Sequence, residues 1–164
     1  MTEHLIHAFV TSRLDFCNSI CINLPKNLLG RLQKIQNWAA KLIFKQSIST
    51  HVTPLLKSLH WLPITARTQF KILTFVHSCI HNSSSPKYLT QLISIKDFNR
   101  NTRQSKFITL IVPKTNGILY SNRCFSVAGP KLWNSLPNYL KCIPEKSIFT
   151  SKLKTHLFSK HFSS

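Results

Sequence analysis

Basic side chains recur at helical steps in one part of the sequence. Four of them, which we call the cation stripe, are Arg31, Lys34, Lys41 and Lys45. Steps of three and four residues bring side chains to one side of a helix, where guanidinium and ammonium groups can contact successive phosphates. The alternative is an ordinary solvated helix face, but the basic composition of the chain favours phosphate contact. Trp38 lies in the same stretch, and because large aromatic residues usually serve burial we expect it in the core.

A second group of basic residues, Arg100, Arg103 and Lys106, falls in the polar stretch 96–106. These side chains are candidates for a further nucleic-acid contact that becomes ordered on binding. An ordinary mobile loop explains the same composition equally well. At the level of sequence both interpretations stay open.

The charge balance of the whole chain points to a polyanionic partner. Its 164 residues include 22 Lys and Arg but only four acids, which gives a net charge of +18. Such a domain repels itself, and phosphates are a general counterpart for dispersed cations, so RNA, an RNA–DNA hybrid or DNA is the first expectation. An anionic membrane is disfavoured, because the basic residues do not cluster beside an apolar segment. The remaining alternative is a fragment whose acidic counterpart lies elsewhere in a parent protein.

No metal or cofactor site is expected from the sequence. His77 and His81 stand four residues apart, but two ligands without a nearby carboxylate make a poor zinc site,. The five cysteines include no C-x-x-C pair, so reduced thiols are expected,. The chain has neither a secretory signal nor an apolar run of about 20 residues. We therefore expect an intracellular protein, nuclear or cytoplasmic, that is not secreted and has no membrane partner.

Periodic apolar residues predict helices over most of the chain. Helices are expected over 1–22, from Pro25 to about Phe44, over 53–59, from about residue 63 to His81, and after an N-cap at Ser147. In the second helix the inward stripe is expected to contain Leu28, Leu32, Ile35, Ala39 and Leu42. In the last helix the inward residues are expected to be Phe149, Leu153 and Leu157.

The pattern changes between residues 107 and 127. The β-rich run 107–112, the Asn116-Gly117 turn signal and a returning segment 118–127 predict a small hairpin, which Gly129-Pro130 would end,. The expected fold is therefore mainly α, with several packed amphipathic helices and one small β-hairpin near residues 107–127. The sequence divides into a helical segment 1–46, a helical segment 47–95, and a loop, hairpin and helices over 96–164, expected to form one compact unit.

Short sequence blocks in a fixed order resemble one family of polymerases. The blocks are SRLDFCN at 12–18 with LP at 24–25, LQKIQN at 32–37 with AAKLI at 39–43, HVTP at 51–54, LHWLPI at 59–64, FKI at 70–72, PKYL at 86–89, RCFSVA at 123–128, PKLWNSLP at 130–137, and F-x-x-x-LKT at 149–155. Together they resemble the C-terminal region, beyond the polymerase palm, of jockey-like LINE (non-LTR retrotransposon) reverse transcriptases. The resemblance covers about residues 5–160.

The resemblance implies a thumb-like, non-catalytic role. Polymerases of this family hold their metal ions with an aspartate pair in a turn and a third aspartate, whereas Asp15 and Asp97 are the only aspartates here. Two-metal chemistry needs converging carboxylates, so no catalytic residues and no enzyme activity are expected. The expected function is a truncated part of an RNA-directed DNA polymerase that binds template, primer or element RNA. The alternatives are a structural module docking on an acidic partner, such as the polymerase core, and a functionless element remnant.

Overall fold

The computed structural model of the protein describes residues 2–81, 85–96, 107–114 and 123–162. It is mainly helical, as predicted, and no β-strand occurs in those residues. The helices are α1 (Thr2–Ile6), α2 (Ser12–Asp15), α3 (Lys26–Ile43), α4 (Thr53–Ser58), α5 (Ile64–His81), α6 (Lys87–Thr90), α7 (Phe125–Asn134), α8 (Asn138–Lys141) and α9 (Lys146–Phe162). The chain divides into unit 1, formed by Met1–Thr68 and His156–Ser164, and unit 2, formed by Gln69–Thr155.

Unit 1 is built around the packing of α3. A π-helical turn over His7–Thr11 joins α1 to α2, and α1 lies against α3. The buried cluster consists of Ile6, Ala39, Ala40, Leu56 and Trp61. Small alanine side chains on α3 let the neighbouring segments approach closely, and burial of the large Trp61 ring supplies much of the apolar area. Trp61, from the LHWLPI block, therefore serves packing.

Buried amides tie α3 to the start of α5. Gln36 is 1% exposed, and its Nε2 donates to the Leu62 carbonyl oxygen at 2.9 Å. The Gln33 Oε1 accepts from the Ile64 backbone N–H at 3.0 Å, and the Gln33 Nε2 donates to Gln36 Oε1 at 2.9 Å. The backbone N–H at a helix start has no partner within its own helix, so Gln33 satisfies a group that α5 leaves open. These bonds fix the rotation of α3 about its axis.

Unit 2 centres on an aromatic cluster. The His77 ring stacks on Phe149 with 4.1 Å between ring centroids, and Trp133 lies 5.9 Å from Phe149. All three side chains are at most 1% exposed. The prediction that Phe149, Leu153 and Leu157 face inward is confirmed, since each is buried. Helix α9 begins at Lys146, so the predicted N-cap Ser147 lies inside its first turn, where its hydroxyl donates to the Glu145 carboxylate.

The predicted β-hairpin near residues 107–127 is not seen. The Ile111 N–H and the Thr109 carbonyl bond to the backbone of residues 94 and 96, while the Asn134 side chain bonds both the N–H and the carbonyl of Leu110. The backbone groups that a hairpin partner would use are therefore already paired. The described end of the proposed return strand, from Phe125, is helical and belongs to α7, which contains Gly129-Pro130. The Asn116-Gly117 turn lies outside the described residues.

Candidate nucleic-acid interface

The cation stripe lies along α3 and just beyond its end. Arg31 and Lys34 are exposed on the helix, and neither is ion-paired within the described part of the chain. Lys45 follows the helix in a left-handed backbone conformation, with φ of 50°. The Gln46 N–H bonds the Lys41 carbonyl at 2.9 Å and the Lys45 N–H bonds the Leu42 carbonyl at 3.3 Å. This arrangement is a Schellman-type helix end, usually made by glycine, and it leaves the Lys45 side chain exposed.

Lys41 differs from the other members of the stripe. It is half-buried, and its ammonium group donates to the Ile48 carbonyl oxygen in the loop that follows α3. A lysine that holds its own loop is less free to contact a ligand than an exposed one. The structure therefore brings the four predicted residues onto one stretch but leaves three of them available: Arg31, Lys34 and Lys45.

The prediction that Trp38 lies in the core is wrong. Its side chain is 59% exposed, and it stands four residues from Lys34 and three from Lys41 on α3. The face of α3 that is buried contains Gln36, Ala39 and Ala40. Because Gln36 takes the central inward position, the helix is rotated away from the orientation that apolar residues alone would give. Trp38 therefore joins the cation stripe on the surface.

The predicted apolar stripe of α3 is correct only in part. Ala39 is buried and Leu32 is half-buried, but Leu28, Ile35 and Leu42 are 40%, 42% and 61% exposed. The same rotation explains this outcome, since these three residues lie at the edge of the buried face toward the cation stripe. Exposed apolar residues therefore accompany the exposed cations along α3.

The other predicted group, Arg100, Arg103 and Lys106, lies outside the described residues. A basic surface that was not named as a site occurs on α9, where Lys152, Lys154 and Lys160 are exposed. Composition could have identified this surface, because the 17-residue helix contains lysines and histidines but no acidic residue. Burial, and then the charge of Lys160, lower the pKa of His156, so this histidine adds little positive charge near neutral pH,.

The few acidic side chains that the structure describes interact within the fold. Asp15 accepts a hydrogen bond from Arg67 at 2.8 Å, and Glu3 lies 3.8 Å from His7. Arg67 also packs over the Trp61 ring, with 5.8 Å from its guanidinium carbon to the ring centroid. Burial lowers the pKa of Arg67, and the charge and hydrogen bond of the Asp15 carboxylate oppose that shift,. These acids therefore leave the cation stripe unneutralised.

The described residues show neither a metal-binding cluster nor a helix suited to a bilayer. No group of three or more His, Cys, Asp or Glu is placed to share a metal ion in this part of the chain. Over the same residues, no helix combines the length and apolar character that crossing a bilayer requires. Comparisons of the chain with protein-family models, with curated proteins and with solved structures find no match. The case for a function therefore rests on the exposed residues of α3 and on the charge of the chain.

Proposed function

We propose that this chain is a non-catalytic nucleic-acid-binding segment, related to the C-terminal, thumb-like region of jockey-like LINE reverse transcriptases. The observation that carries the proposal is the exposure of Arg31, Lys34 and Lys45 along α3 without an ion pair in the described residues. Cations that a protein keeps solvated and unpaired are available for phosphates, and a chain with a net charge of +18 attracts a polyanion from a distance,.

The exposed indole of Trp38 adds a second kind of contact. Its ring lies among cations of the same helix. Proteins that bind single-stranded nucleic acids combine a positively charged surface with aromatic side chains on which bases stack in this way. Stacking is tolerant of sequence because every base has an aromatic face. The contacts therefore favour affinity over sequence readout, and RNA, an RNA–DNA hybrid and DNA are all candidate ligands.

The proposal is tested by fluorescence anisotropy on labelled single-stranded RNA, RNA–DNA hybrid and duplex DNA over a series of salt concentrations. The test variant replaces Arg31, Lys34 and Lys45 by glutamine. Three lost phosphate contacts should flatten the log–log salt slope on duplex DNA by up to about 2.7. A separate Trp38→Ala variant should weaken binding to single-stranded RNA with little change in slope, because it removes stacking and no charge.

A matched control removes three charges elsewhere, by replacing Lys152, Lys154 and Lys160 with glutamine. Under the proposal this α9 variant keeps more of the parent's salt slope than the α3 variant does. If the α9 variant alone flattens the slope, the interface is on α9 and the assignment to α3 is wrong. If the parent chain binds none of the three nucleic acids at low salt, nucleic-acid binding itself is disproved.

A further inference from the structure

Helix α3 exposes large apolar side chains that phosphate contacts do not use. Leu28, Ile35 and Leu42, which we call the apolar line, are 40%, 42% and 61% exposed, and Trp38 beside them is 59% exposed. Single exposed apolar residues are ordinary on protein surfaces, but several in register on one helix indicate a contact surface. This face therefore needs an explanation beyond nucleic-acid binding.

The spacing of the apolar line is that of a helix-packing seam. Its members repeat every seven residues, and at 100° per residue they lie within about 40° of one another around α3,. From the first to the last they extend over about 21 Å of helix. Trp38 falls three residues after Ile35, at the second position of the same repeat. Side chains arranged in this way fit the side of another helix.

The charges beside the apolar line define the partner. Arg31 and Lys34 are exposed on one edge of the line, and neither is ion-paired within the described residues, whereas the other edge is the buried face of α3. A partner helix that buries apolar residues against the line would place its flanking residues against these cations. Carboxylates at those positions would be attracted and ammonium groups repelled.

Two other occupants fit less well. A second copy of this chain would bring its own cation stripe toward the first, and its net charge of +18 would oppose the approach,. A membrane-surface helix presents a broad apolar face with cations at both edges. Here one edge of the apolar line is the buried face of α3, so cations flank only the other edge. A narrow apolar band with cations on one side fits an amphipathic helix of a partner protein.

We propose that Leu28, Ile35, Trp38 and Leu42 of α3 form a docking face for an acidic amphipathic helix of a partner protein. The partner places apolar residues on the apolar line and carboxylates against Arg31 and Lys34. This interaction goes beyond nucleic-acid binding, because it needs apolar side chains that phosphates do not contact. The two ligands share the cations, so a docked acidic helix should compete with nucleic acid for the same helix.

The proposal is tested with a designed peptide of about three heptads, with leucine at the two core positions and glutamate at the flanking positions. A first control peptide keeps the glutamates but carries serine at the core positions, and a second keeps the leucines but carries lysine at the flanks. Binding of the labelled peptides to the full chain is followed by anisotropy. The acidic amphipathic peptide should bind at least about tenfold tighter than either control, since each control removes one of the two attractions.

Paired variants of the chain place the binding on α3. Replacing Leu28, Ile35 and Leu42 by glutamine should weaken peptide binding at least about tenfold, because apolar burial is lost at three positions. The matched control replaces Leu5, Phe9 and Phe16 by glutamine. These side chains are 52%, 71% and 79% exposed in the N-terminal segment, and their replacement should leave peptide affinity unchanged. Circular dichroism and thermal melts of both variants establish that the fold is retained.

Several outcomes overturn the docking face. One is that the serine peptide binds as tightly as the acidic amphipathic peptide. Another is that the two triple variants lose the same peptide affinity. A third is that the chain binds phosphatidylserine vesicles more tightly than the peptide and needs the apolar line to do so. Dimerisation of the free chain that the apolar-line variant abolishes, measured by sedimentation equilibrium, would assign the face to a second copy instead. The salt slope on nucleic acid should be unaffected by the apolar-line variant, so docking and nucleic-acid binding can fail independently.

Discussion

At the scale of single residues, the polar side chains in the sequence blocks of this chain mostly hold its backbone. Gln33 and Gln36 from one block bond the backbone of Leu62 and Ile64 in another. Asn134 bonds both backbone groups of Leu110, and the neighbouring Trp133 donates to the Ile108 carbonyl at 2.9 Å. The blocks that carry the resemblance to LINE reverse transcriptases thus include structural ties. Of the cations proposed to bind nucleic acid, Lys34 lies within a block, whereas Arg31 and Lys45 lie outside the blocks.

His77 shows how a buried polar residue can make stability depend on pH. Its Nε2–H donates to the Ile143 carbonyl oxygen at 2.7 Å, and its Nδ1 is buried without a hydrogen-bond partner among the described residues. Burial is the largest cause of its lowered pKa, and the charges of His81 and Lys146 lower it further,. Because only the neutral ring suits this site, protonation must favour the unfolded chain.

We predict that the free energy of unfolding falls as the pH drops below about 6.5, the usual histidine pKa, toward the lowered pKa of folded His77. The unfolded state binds more protons in that window, and the lowered pKa values of His81, His156 and His161 act in the same direction. His77→Gln keeps a donor for Ile143 but cannot titrate. Urea unfolding at pH 7.5 and pH 5.0 should show a smaller acid-induced loss in this variant than in the parent.

Leu140→Ala is the matched control for that measurement. It opens the core of unit 2 at a fully buried side chain and leaves the Phe149 ring stacked on His77, so it should lower stability at both pH values while keeping the parent's dependence on pH,. An acid-induced loss in His77→Gln as large as that of the parent would show that His77 is not the source.

At the scale of elements, the period of the apolar residues predicted where helices lie and which face of α9 is buried, but not which face of α3 is buried. Helix α3 could bury the predicted stripe of apolar residues or the face that contains Gln36. It buries the face with Gln36, a polar residue that takes the central position through its hydrogen bond to Leu62. A pattern of apolar residues cannot register that bond, which depends on a residue 26 positions away. The expected inward stripe was therefore partly exposed, and the expected core residue Trp38 lies on the surface.

The β-hairpin prediction failed for a related reason. The run 107–112 has strand-forming composition, but its backbone hydrogen-bond partners are residues 94 and 96 and the Asn134 side chain. Gly129-Pro130, which suggests a turn by local rules, lies inside α7. Tertiary packing can override local preference, and here the glycine permits a close approach that a larger residue would prevent.

Glycines on two helices should respond oppositely to alanine. A Cβ atom on Gly129 would lie 2.9 Å from Cγ2 of Val76, a fully buried side chain with little freedom in a helix,. A Cβ atom on Gly30 of α3 would meet nothing within 4 Å. We predict that Gly129→Ala lowers the free energy of unfolding by about 1 kcal/mol or more through overpacking. Gly30→Ala should raise it by about 0.5–1 kcal/mol, because glycine is a poor helix former.

Chemical denaturation of the two variants provides the comparison, with circular dichroism at 222 nm as the signal. The additional variant Gly129→Ala with Val76→Ala should recover part of the loss if the clash with Val76 is its cause. A stabilising effect of Gly129→Ala alone would contradict the close packing of α7 on α5.

At the scale of the whole molecule, composition predicts a class of ligand but does not identify the residues that would contact it. The excess of 22 basic over four acidic residues led directly to a polyanionic ligand as the expectation,. Availability of individual side chains depends on tertiary contacts: Lys41 donates to a loop carbonyl, whereas Lys34 is exposed. The lysines of α9 were recognisable as outward-facing, but no feature of the sequence ranks them against those of α3.

The positive charge on which the proposed nucleic-acid binding depends should oppose folding. With four acids in the sequence, and Asp15 and Glu3 paired to Arg67 and His7, repulsion among the cations outweighs attraction over the molecule as a whole,. We predict that raising NaCl from about 0.1 M to about 1 M, which shortens the Debye length from about 10 Å to about 3 Å, raises the melting temperature. A gain of about 1 kcal/mol corresponds to about 2–4 °C in a chain of this size.

The glutamine variant of Arg31, Lys34 and Lys45 makes this prediction specific to charge repulsion. Removing three cations should stabilise the chain at low salt. The difference in melting temperature from the parent should shrink as salt rises, because salt screens in the parent the same repulsion that the substitutions remove. KCl should act like NaCl if screening is responsible. A melting temperature that falls with salt would instead mean that contacts such as Asp15–Arg67 dominate the electrostatics of the fold. With repulsion dominant, the exposed cations of α3 lower stability in the free chain, and a bound polyanion or acidic helix would relieve that repulsion.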